Sequence, residues 1–589
     1  MKKLMLALVC LTVLSLACTA LAEDAAEPTA LEITRLMGNG VNLGNTFEAC
    51  NNGKLGGCTT EDATFYETMW GQPVTTREMI HGMKEAGFDS IRIPVAWMTN
   101  ATHLNTGDYT IGAFYLDRVE EVVSWALDEG MYVVLNDHWD GGWYGMFGSE
   151  SEETRNLAMD AYKGMWSQIA ERFAKYDAHL IFEGANEEIG ARFDEDSPLY
   201  CQDSVVSYLN DNQRYELANQ VNQAFVDTIR AAGGHNAERF LLIPGYGTNI
   251  AQTCDPRFKM PTDTAKDKLL ISVHCYSPTS YCLSSSASAA SPWGTSGDYE
   301  SLEKEMKMMT KFVAQGYGVI IGEYGALPGA DGIMKDNAVA YHRYFLDLCD
   351  YYDYCPVLWD CSGFYIRKSL AITNPDMAAL YDTRRQANEG DLEAVKAAAK
   401  ASMETDVAAA PTTFRTDAVA VTDDTCLAWI MWNAGDYSIT YSVGDTYNAD
   451  SITPGLVTKD ALIEGEGTYT VGLDFTGTAA GFSNNVAFSA IGITNGEFLH
   501  PGWAMHITEV KINGEPYKLS GRPYTTSDDG KCTRMNLFNE WVTDPMSVAS
   551  ARVLYGPNIG ISAQVLNRND AVMSHVETIE VTFVYGPKK

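Results

Sequence analysis

The sequence is poor in positive charge: 42 lysines and arginines face 77 aspartates and glutamates, for a formal net charge of −35 and a pI near 4.6. Affinity for a phosphate backbone or an anionic lipid surface rests on clustered Lys and Arg, so nucleic acid is not an expected partner. A neutral polymer would meet no such repulsion, although acidity alone also serves simply as a solubility device. No segment supplies the roughly 20 consecutive apolar residues of a transmembrane helix, so no membrane span is expected. Zinc-spaced C-x-x-C pairs, a D-x-N-x-D-G calcium loop and the paired repeats of a dockerin-like module are all missing, so neither a metal or other cofactor nor direct assembly on a scaffold is expected. A glycine-rich phosphate turn is also missing after the first predicted strand, where Gly40-Val41-Asn42-Leu43-Gly44-Asn45 stands instead, which argues against an open dinucleotide-binding sheet.

What is present begins with an export signal. Lys2 and Lys3 precede an apolar stretch from Leu4 to Ala17, and Ala20-Leu21-Ala22 has the small-x-small pattern of a signal-peptidase site. Residues 1–22 are read as a signal peptide and the mature chain as secreted and extracellular, beginning at Glu23. Cys18 hints at lipidation, but Ser15 stands where an aliphatic residue is wanted. Of 13 cysteines, those left after Cys10 and Cys18 are odd in number, so at least one stays unpaired within the chain. Cys50 with Cys58, Cys275 with Cys282 and Cys349 with Cys355 are candidate disulfides.

With 589 residues the chain exceeds what one core supports, and two or three domains are expected. Over residues 31–398 one unit repeats: a short Val- and Ile-rich run, a polar loop, then a stretch of helical periodicity. The runs are Gly40–Asn45, Ser90–Val95, Tyr132–His138, Leu180–Glu187, Arg239–Tyr246, Leu269–Tyr276, Val319–Gly325 and Pro356–Gly363, and the amphipathic stretches between them include Thr76–Ala86, Tyr115–Glu129, Ala161–Lys175, Glu216–Ala232 and Tyr299–Gln315. Such a series of βα units predicts a closed (β/α)8 TIM barrel. An Ala-, Thr- and Pro-rich run over 399–413 reads as a linker. From 414 to 589 apolar and polar residues alternate in short strands, as in Gly467-Thr-Tyr-Thr-Val-Gly-Leu, which predicts an all-β sandwich of jelly-roll kind.

In a barrel the C-terminal strand ends face the active site. Polar residues crowd those ends: Arg92 on the second strand, His138 after the third, Asn186 and Glu187 after the fourth, His274 and Tyr276 on the sixth, Glu323 on the seventh, and Trp359-Asp360 after the eighth. Two glutamates from opposite strands can flank a glycosidic oxygen, one protonating the leaving group and the other attacking or stabilising the anomeric carbon. Arg92 would keep Glu323 ionised as nucleophile while a less solvated Glu187 holds the proton. His138 and His274 would tune the acid and bind hydroxyls, Tyr276 would donate to Glu323, Asn186 would hold a sugar 2-hydroxyl, and Trp359 would present its face to a pyranose. Glu183, on the same strand face as Glu187, reads as a supporting group.

Gly40-Val-Asn-Leu-Gly-Asn-Thr46, Trp70-Gly-Gln-Pro-Val-Thr-Thr76, Ile91-Arg-Ile-Pro-Val-Ala-Trp97, Leu180-Ile-Phe-Glu-Gly-Ala-Asn-Glu187, Ile243-Pro-Gly-Tyr-Gly-Thr-Asn249, Val273-His-Cys-Tyr-Ser-Pro278, Ile321-Gly-Glu-Tyr-Gly325 and Trp359-Asp360 are each weak alone but specific in this order. Together they resemble glycoside hydrolase family 5 of clan A, close to its bacterial endoglucanases (cellulases), over most of residues 31 to 370. The resemblance implies a retaining mechanism, with Glu187 as acid/base, Glu323 as nucleophile, and Arg92, His138, Asn186, His274, Tyr276 and Trp359 around them. Two positions depart from the family: His138-Trp139 stands where many relatives have two histidines, and Glu188 where proline often follows the acid.

The expected activity is endo-hydrolysis of β-1,4-glucosidic bonds in plant cell-wall β-glucan: cellulose, mixed-linkage β-glucan or xyloglucan. The same mechanism on mannan or xylan is an alternative, as is a noncatalytic polysaccharide-binding surface protein. A metal held by Asp137, His138 and Asp140 is disfavoured, since no ligand spacing recurs elsewhere. Trp97, Trp139, Trp143 and Trp293 could line further subsites. Trp429, Trp432, Trp503 and Trp541 leave open whether the C-terminal domain binds carbohydrate or only packs.

Overall fold

The computed structural model describes residues 28–50, 59–103, 108–193, 209–284, 292–329, 332–411, 421–434, 439–445, 450–542, 550–556 and 560–588. The signal segment over 1–22 and Cys58 lie outside them.

Eight parallel strands close into a barrel in chain order: β1 (Gly40–Asn42), β2 (Ser90–Ile93), β3 (Tyr132–Asn136), β4 (Leu180–Glu183), β5 (Leu241–Asn249), β6 (Leu269–Cys275), β7 (Gly318–Tyr324) and β8 (Tyr354–Leu358). Strands such as β6 (LLISVHC) and β7 (GVIIGEY) are buried along their whole length, because a barrel strand is covered inside and out and needs no polar alternation. Side chains of β3 to β8 meet in the barrel interior: Val134, Ile181, Leu242, Leu270, Ile320, Cys355 and Val357 form one cluster with Ala30, Ile33 and Met37. The last three belong to or end a short helix, Ala30–Leu36, started by a capping box between Thr29 and Glu32. A Cβ at Gly318 would lie 2.0 Å from the Ala30 carbonyl, so glycine at the start of β7 is what lets this helix close the N-terminal end.

Most strands are shorter than the apolar runs suggested. β1 stops at Asn42, β3 at Asn136 and β4 at Glu183, leaving Glu187 on the following turn. Register shifts interrupt β5·β6 between Pro244 and Asn249, β6·β7 between Val273 and His274, and β7·β8 between Ile321 and Tyr324. Bulges of this kind re-aim side chains beside active sites, and the one in β6·β7 sets His274 opposite Glu323.

The amphipathic stretches are helices Arg77–Glu85, Ala113–Asp128, Glu152–Arg172, Asp211–Ala231 and Ser296–Lys307, with a separate turn at Thr310–Val313. The linker expected over 399–413 is not one up to residue 409. Leu392–Ala409 is a single helix with Asp391 as N-cap, buried at Ala399 and Met403 and tied to the helix Ala338–Tyr352 by Arg343–Asp406 at 2.5 Å. Alanine richness, read as linker composition, is here helix propensity.

After β8 comes a small hairpin of β9 (Tyr365–Ile366) and β10 (Ala371–Ile372). Beyond residue 421 the described residues form strands, apart from single helical turns at Gly496–Leu499 and Ala571–Ser574: β11 (Leu427–Ala434), β12 (Ile439–Val443), β13 (Asp450–Ile452), β14 (Val457–Lys459), β15 (Ala461–Leu462), β16 (Gly467–Asp474), β17 (Val486–Thr494), β18 (Trp503–Ile512), β19 (Glu515–Pro516), β20 (Thr533–Asn539) and β21 (Thr578–Pro587). One sheet runs β13-β12-β11-β17-β20 with β15 beside β11, the other β14-β16-β21-β18-β19. Trp432 packs on Phe475 at 5.3 Å between them and donates to Ser483. Trp429 is also buried, whereas Trp541 is 61% exposed.

Cys275, Cys282, Cys349 and Cys355 are buried free thiols, so the two pairs expected among them do not form. Cys275, Cys282 and Cys349 serve as small apolar groups in the core around the barrel and Cys355 in its interior. Trp97, Trp143 and Trp293 are likewise buried and face no cleft.

Candidate active site

Arg92, fully buried near the end of β2, is the centre of the constellation. It donates from Nε to Glu183 Oε2 at 2.6 Å, from Nη1 to Asn42 Oδ1 at 2.9 Å and Glu323 Oε1 at 3.1 Å, and from Nη2 to Asn186 Oδ1 at 2.9 Å. Asn42 is in turn fixed by donating to the Gly322 and Leu358 carbonyls. One guanidinium thus joins β1, β2, β4 and β7, and fixes Asn186 with its carbonyl inward, leaving the amide N–H groups for a ligand.

Glu323 is held at both oxygens, since the Tyr276 hydroxyl donates to Oε2 at 2.9 Å. Glu187 is less confined: its side chain is 30% exposed, His274 Nδ1 lies 2.9 Å from Oε1, and Arg192 Nη2 lies 3.4 Å from Oε2. His274 Nδ1 also approaches Glu323 Oε2 at 3.6 Å. An oxygen of each glutamate and a ring nitrogen of His274 lie within 4.8 Å of one another.

His138 and Trp359 stack with centroids 5.8 Å apart and planes 19° from parallel. Gly44 makes room for this indole: a Cβ there would lie 3.1 Å from Trp359 and 2.8 Å from the Asp360 carbonyl. Asp360 itself is structural, its carboxylate accepting from the backbone N–H groups of Ser362, Gly363, Phe364 and Tyr365. Trp139 is half-buried at φ +51° and meets Trp70 at 6.3 Å.

Asp137 and Asp140 do not form a metal site with His138. Tyr144 donates to Asp137, while Asp140 accepts from the N–H groups of Met98 and Thr99 and from the Trp143 indole. Burial, then mutual repulsion, drives Asp137 well above the carboxylate range. Among the described residues the one group with metal-like spacing is Glu187, His274 and Glu323, which the paired-carboxylate chemistry already occupies.

In the free site the two carboxyls are shifted in opposite directions. Burial raises Glu187, but the hydrogen bond and charge of His274 outweigh it, helped by Arg192 and Arg92, and the net direction is down. For Glu323 burial wins over His274 and Arg92, and the direction is up. Burial and the Arg92 charge press His138 well below the usual histidine range, leaving a neutral imidazole.

Asn42 and Arg192 belong to the constellation without having been singled out. Asn42 sits inside the Gly40-Val-Asn-Leu-Gly-Asn-Thr46 motif at the end of β1, which is the available signal. Arg192 lies on the 3-10 turn Ala191–Phe193, outside any strand, and nothing in its spacing points to Glu187.

A pair of carboxylates at the C-terminal mouth of a closed parallel barrel, with one oxygen of each within 4.8 Å of the other, fits the close pairs of retaining glycoside hydrolases, whose carboxyl groups stand roughly 5–5.5 Å apart. The chain belongs to glycosyl hydrolase family 5: the family's cellulase profile matches residues 53–364. It is 34% identical over 378 residues to endoglucanase A of Paenibacillus barcinonensis, covering 60% of this chain and 87% of that one. Among solved structures it is similar to a Bacteroides ovatus xyloglucanase bound to a XXXG heptasaccharide, with TM-score 0.51, 29% identity, and coverage of 62% of this chain and 78% of that one. It is also similar to a broad-specificity endoglucanase from an uncultured bovine rumen ciliate, with TM-score 0.51, 31% identity, and coverage of 61% and 99%.

Proposed function

We infer that the protein is a secreted, retaining endo-β-1,4-glucanase that cleaves cellulose, mixed-linkage β-glucan or xyloglucan, with Glu323 as nucleophile and Glu187 as acid/base. The observation that carries this reading is the close approach of the two carboxylates, an oxygen of each lying within 4.8 Å of the other. The names of the relatives, an endoglucanase, a xyloglucanase and a broad-specificity endoglucanase, support a glucan substrate. The first 22 residues would direct export.

The geometry supports this division of roles. A nucleophile must be fixed and able to accept back an electron pair, and Glu323 has a donor at each oxygen. An acid/base must reach both leaving group and water, and Glu187 is the more exposed of the two. A sugar over Glu187 displaces its water, strengthens the burial that already opposes ionisation, and so favours the protonated acid. Glu187 then gives its proton to the glycosidic oxygen as the C1–O bond breaks, and Glu323 forms a bond to C1. In the second step water attacks C1, its proton passes to Glu187, and the Glu323–C1 bond breaks with its electron pair returning to the carboxylate. Asn186 offers its amide to the 2-hydroxyl, neutral His138 binds a hydroxyl without repelling the developing positive charge, and Trp359 supports the ring.

Reducing-sugar release from carboxymethylcellulose, barley-type β-glucan, xyloglucan, mannan and xylan, by wild type and Glu323→Gln in parallel, tests the reading. Glucan cleavage lost in the variant is expected. Cleavage confined to mannan or xylan would overturn the substrate, and inactivity on all five would overturn the enzyme.

A further inference from the structure

Glu187 has to serve in opposite charge states, protonated to expel the leaving group and ionised to take the proton from water. His274 approaches Oε1, so the second oxygen, Oε2, is the one whose surroundings decide how easily the charge is carried. Arg192 is the residue that meets it.

The path of the chain explains why. After the acid, buried Glu188 accepts from the Asn186 backbone N–H at 3.0 Å, which draws the turn tight. The chain then reverses through Gly190 at φ +135°, where a Cβ would come within 2.9 Å of the Tyr246 ring. The Ile189 carbonyl accepts from Gly247 N at 2.6 Å, and Phe193 anchors the far side on Phe147 with centroids 5.5 Å apart. Arg192 is carried on this anchored turn, yet its own side chain is 40% exposed and its Nη2 stands 3.4 Å from Glu187 Oε2. This is a close ion pair without a tight hydrogen bond, on a flexible arm that can swing.

We propose that Arg192 is a positioning residue that acts as a movable counter-charge to the acid/base carboxylate, displaced when the leaving-group sugar binds and returned once that sugar departs. The leaving group must lie on the Glu187 side of the scissile bond, which is where Arg192 stands. With that sugar seated, Oε2 loses its cation and holds the proton. With the sugar gone, Arg192 swings back and stabilises the carboxylate that draws the proton from water. Among the described residues the other charged or titratable groups facing Glu187 are His274 from β6, Glu323 from β7, Arg92 from β2 and, beyond Glu323, Tyr276, while His138 after β3 faces Arg192 itself. Each of these has a partner within the buried network, so Arg192 is the cation of the set placed to move. The effect falls mainly on the second half-reaction.

The inference rests on the retaining reading, and the test separates the two. Full-length wild type, Arg192→Gln and Arg192→Lys are compared on 2,4-dinitrophenyl and phenyl β-cellobiosides. The dinitrophenolate needs no protonation to leave, so its kcat reports hydrolysis of the glycosyl-enzyme, whereas the phenyl substrate reports its formation. Arg192→Gln is expected to lower kcat on the dinitrophenyl substrate by roughly two- to fivefold, the scale of a half-exposed ion pair. It is also expected to move the basic limb of kcat/KM on the phenyl substrate upward by a few tenths of a pH unit, with Arg192→Lys restoring both. An equal loss on the two substrates with the limb unmoved would overturn the proposal in favour of a purely structural role, and so would unchanged kinetics. If the sugar product first released by wild type has inverted anomeric configuration, the retaining reading itself falls.

Discussion

Replacing Arg92 with methionine removes one buried cation from between two buried carboxylates while keeping a side chain of similar reach. Arg92 and Glu183 are fully buried and the Glu323 side chain is 7% exposed, so water cannot take over the four hydrogen bonds of the guanidinium. Breaking a buried pair in this way costs about 3–5 kcal/mol, mostly because the remaining charge is stranded. At roughly 2.1 cal/mol/K of unfolding entropy per residue, a barrel of this length shifts by about 1.3 °C per kcal/mol, for an expected fall of about 4–7 °C. The pH dependence identifies the cause. Burial already holds Glu323 above its ordinary value and Arg92 pulls it down, so in Arg92→Met it rises further. A carboxyl whose folded pKa exceeds its unfolded one costs stability at high pH, and the cost disappears as pH falls through the folded value. The melting temperatures of wild type and variant, measured by calorimetry at pH 8 and pH 5, should therefore differ more at pH 8. A gap below about 1 kcal/mol, or one equal at both pH values, would refute the stranded-charge argument and leave only lost packing.

Tyr276→Phe deletes the donor to Glu323 Oε2 without altering the ring; a hydrogen bond to a charged group is worth about 1.5–3 kcal/mol, so kcat should fall about 10- to 100-fold with the melting temperature little changed. Gly190→Ala forces a Cβ against the Tyr246 ring in a backbone region that disfavours it, at about 1–3 kcal/mol, and activity should drop because the turn carrying Arg192 shifts; denaturant midpoints and glucan hydrolysis measure the two. Burial, opposed by Ser402 and reinforced by Asp350 and Asp406, pushes Asp347 up to about 7. A carboxyl raised in the folded state destabilises increasingly as pH climbs toward that value, so Asp347→Asn should raise the melting temperature at pH 8 and lose the advantage by pH 4.

The barrel was legible because its strands are continuous apolar runs broken by polar loops at regular spacing, a pattern that local burial alone imposes. The residues at the strand ends, Arg92, Asn186, Glu187, His274, Tyr276, Glu323 and Trp359, were legible for the same reason, since barrel topology makes the C-terminal strand end a place. The alternating sandwich after residue 421 was equally plain. The linker misread over 399–409 shows the limit of composition: alanine favours a helix wherever a neighbour such as the helix Ala338–Tyr352 covers one face.

Sequence by itself therefore determined the order of elements, the pair of glutamates and the polar cluster around them, because each depends on residue type and on periods of two or 3.6. Tertiary structure alone decided the distances and the direction in which each carboxyl is shifted. Arg92 could be placed on a strand, but its four partners come from β1, β4, β7 and the turn after β4, and no local pattern encodes that convergence. The opposite shifts of Glu187 and Glu323 depend on a bulge that brings His274 to both and on a turn that returns Arg192 over the acid. Such balances are set by separations of a few ångströms between residues distant in the chain, where electrostatic energy changes steeply, and only the folded molecule fixes those separations.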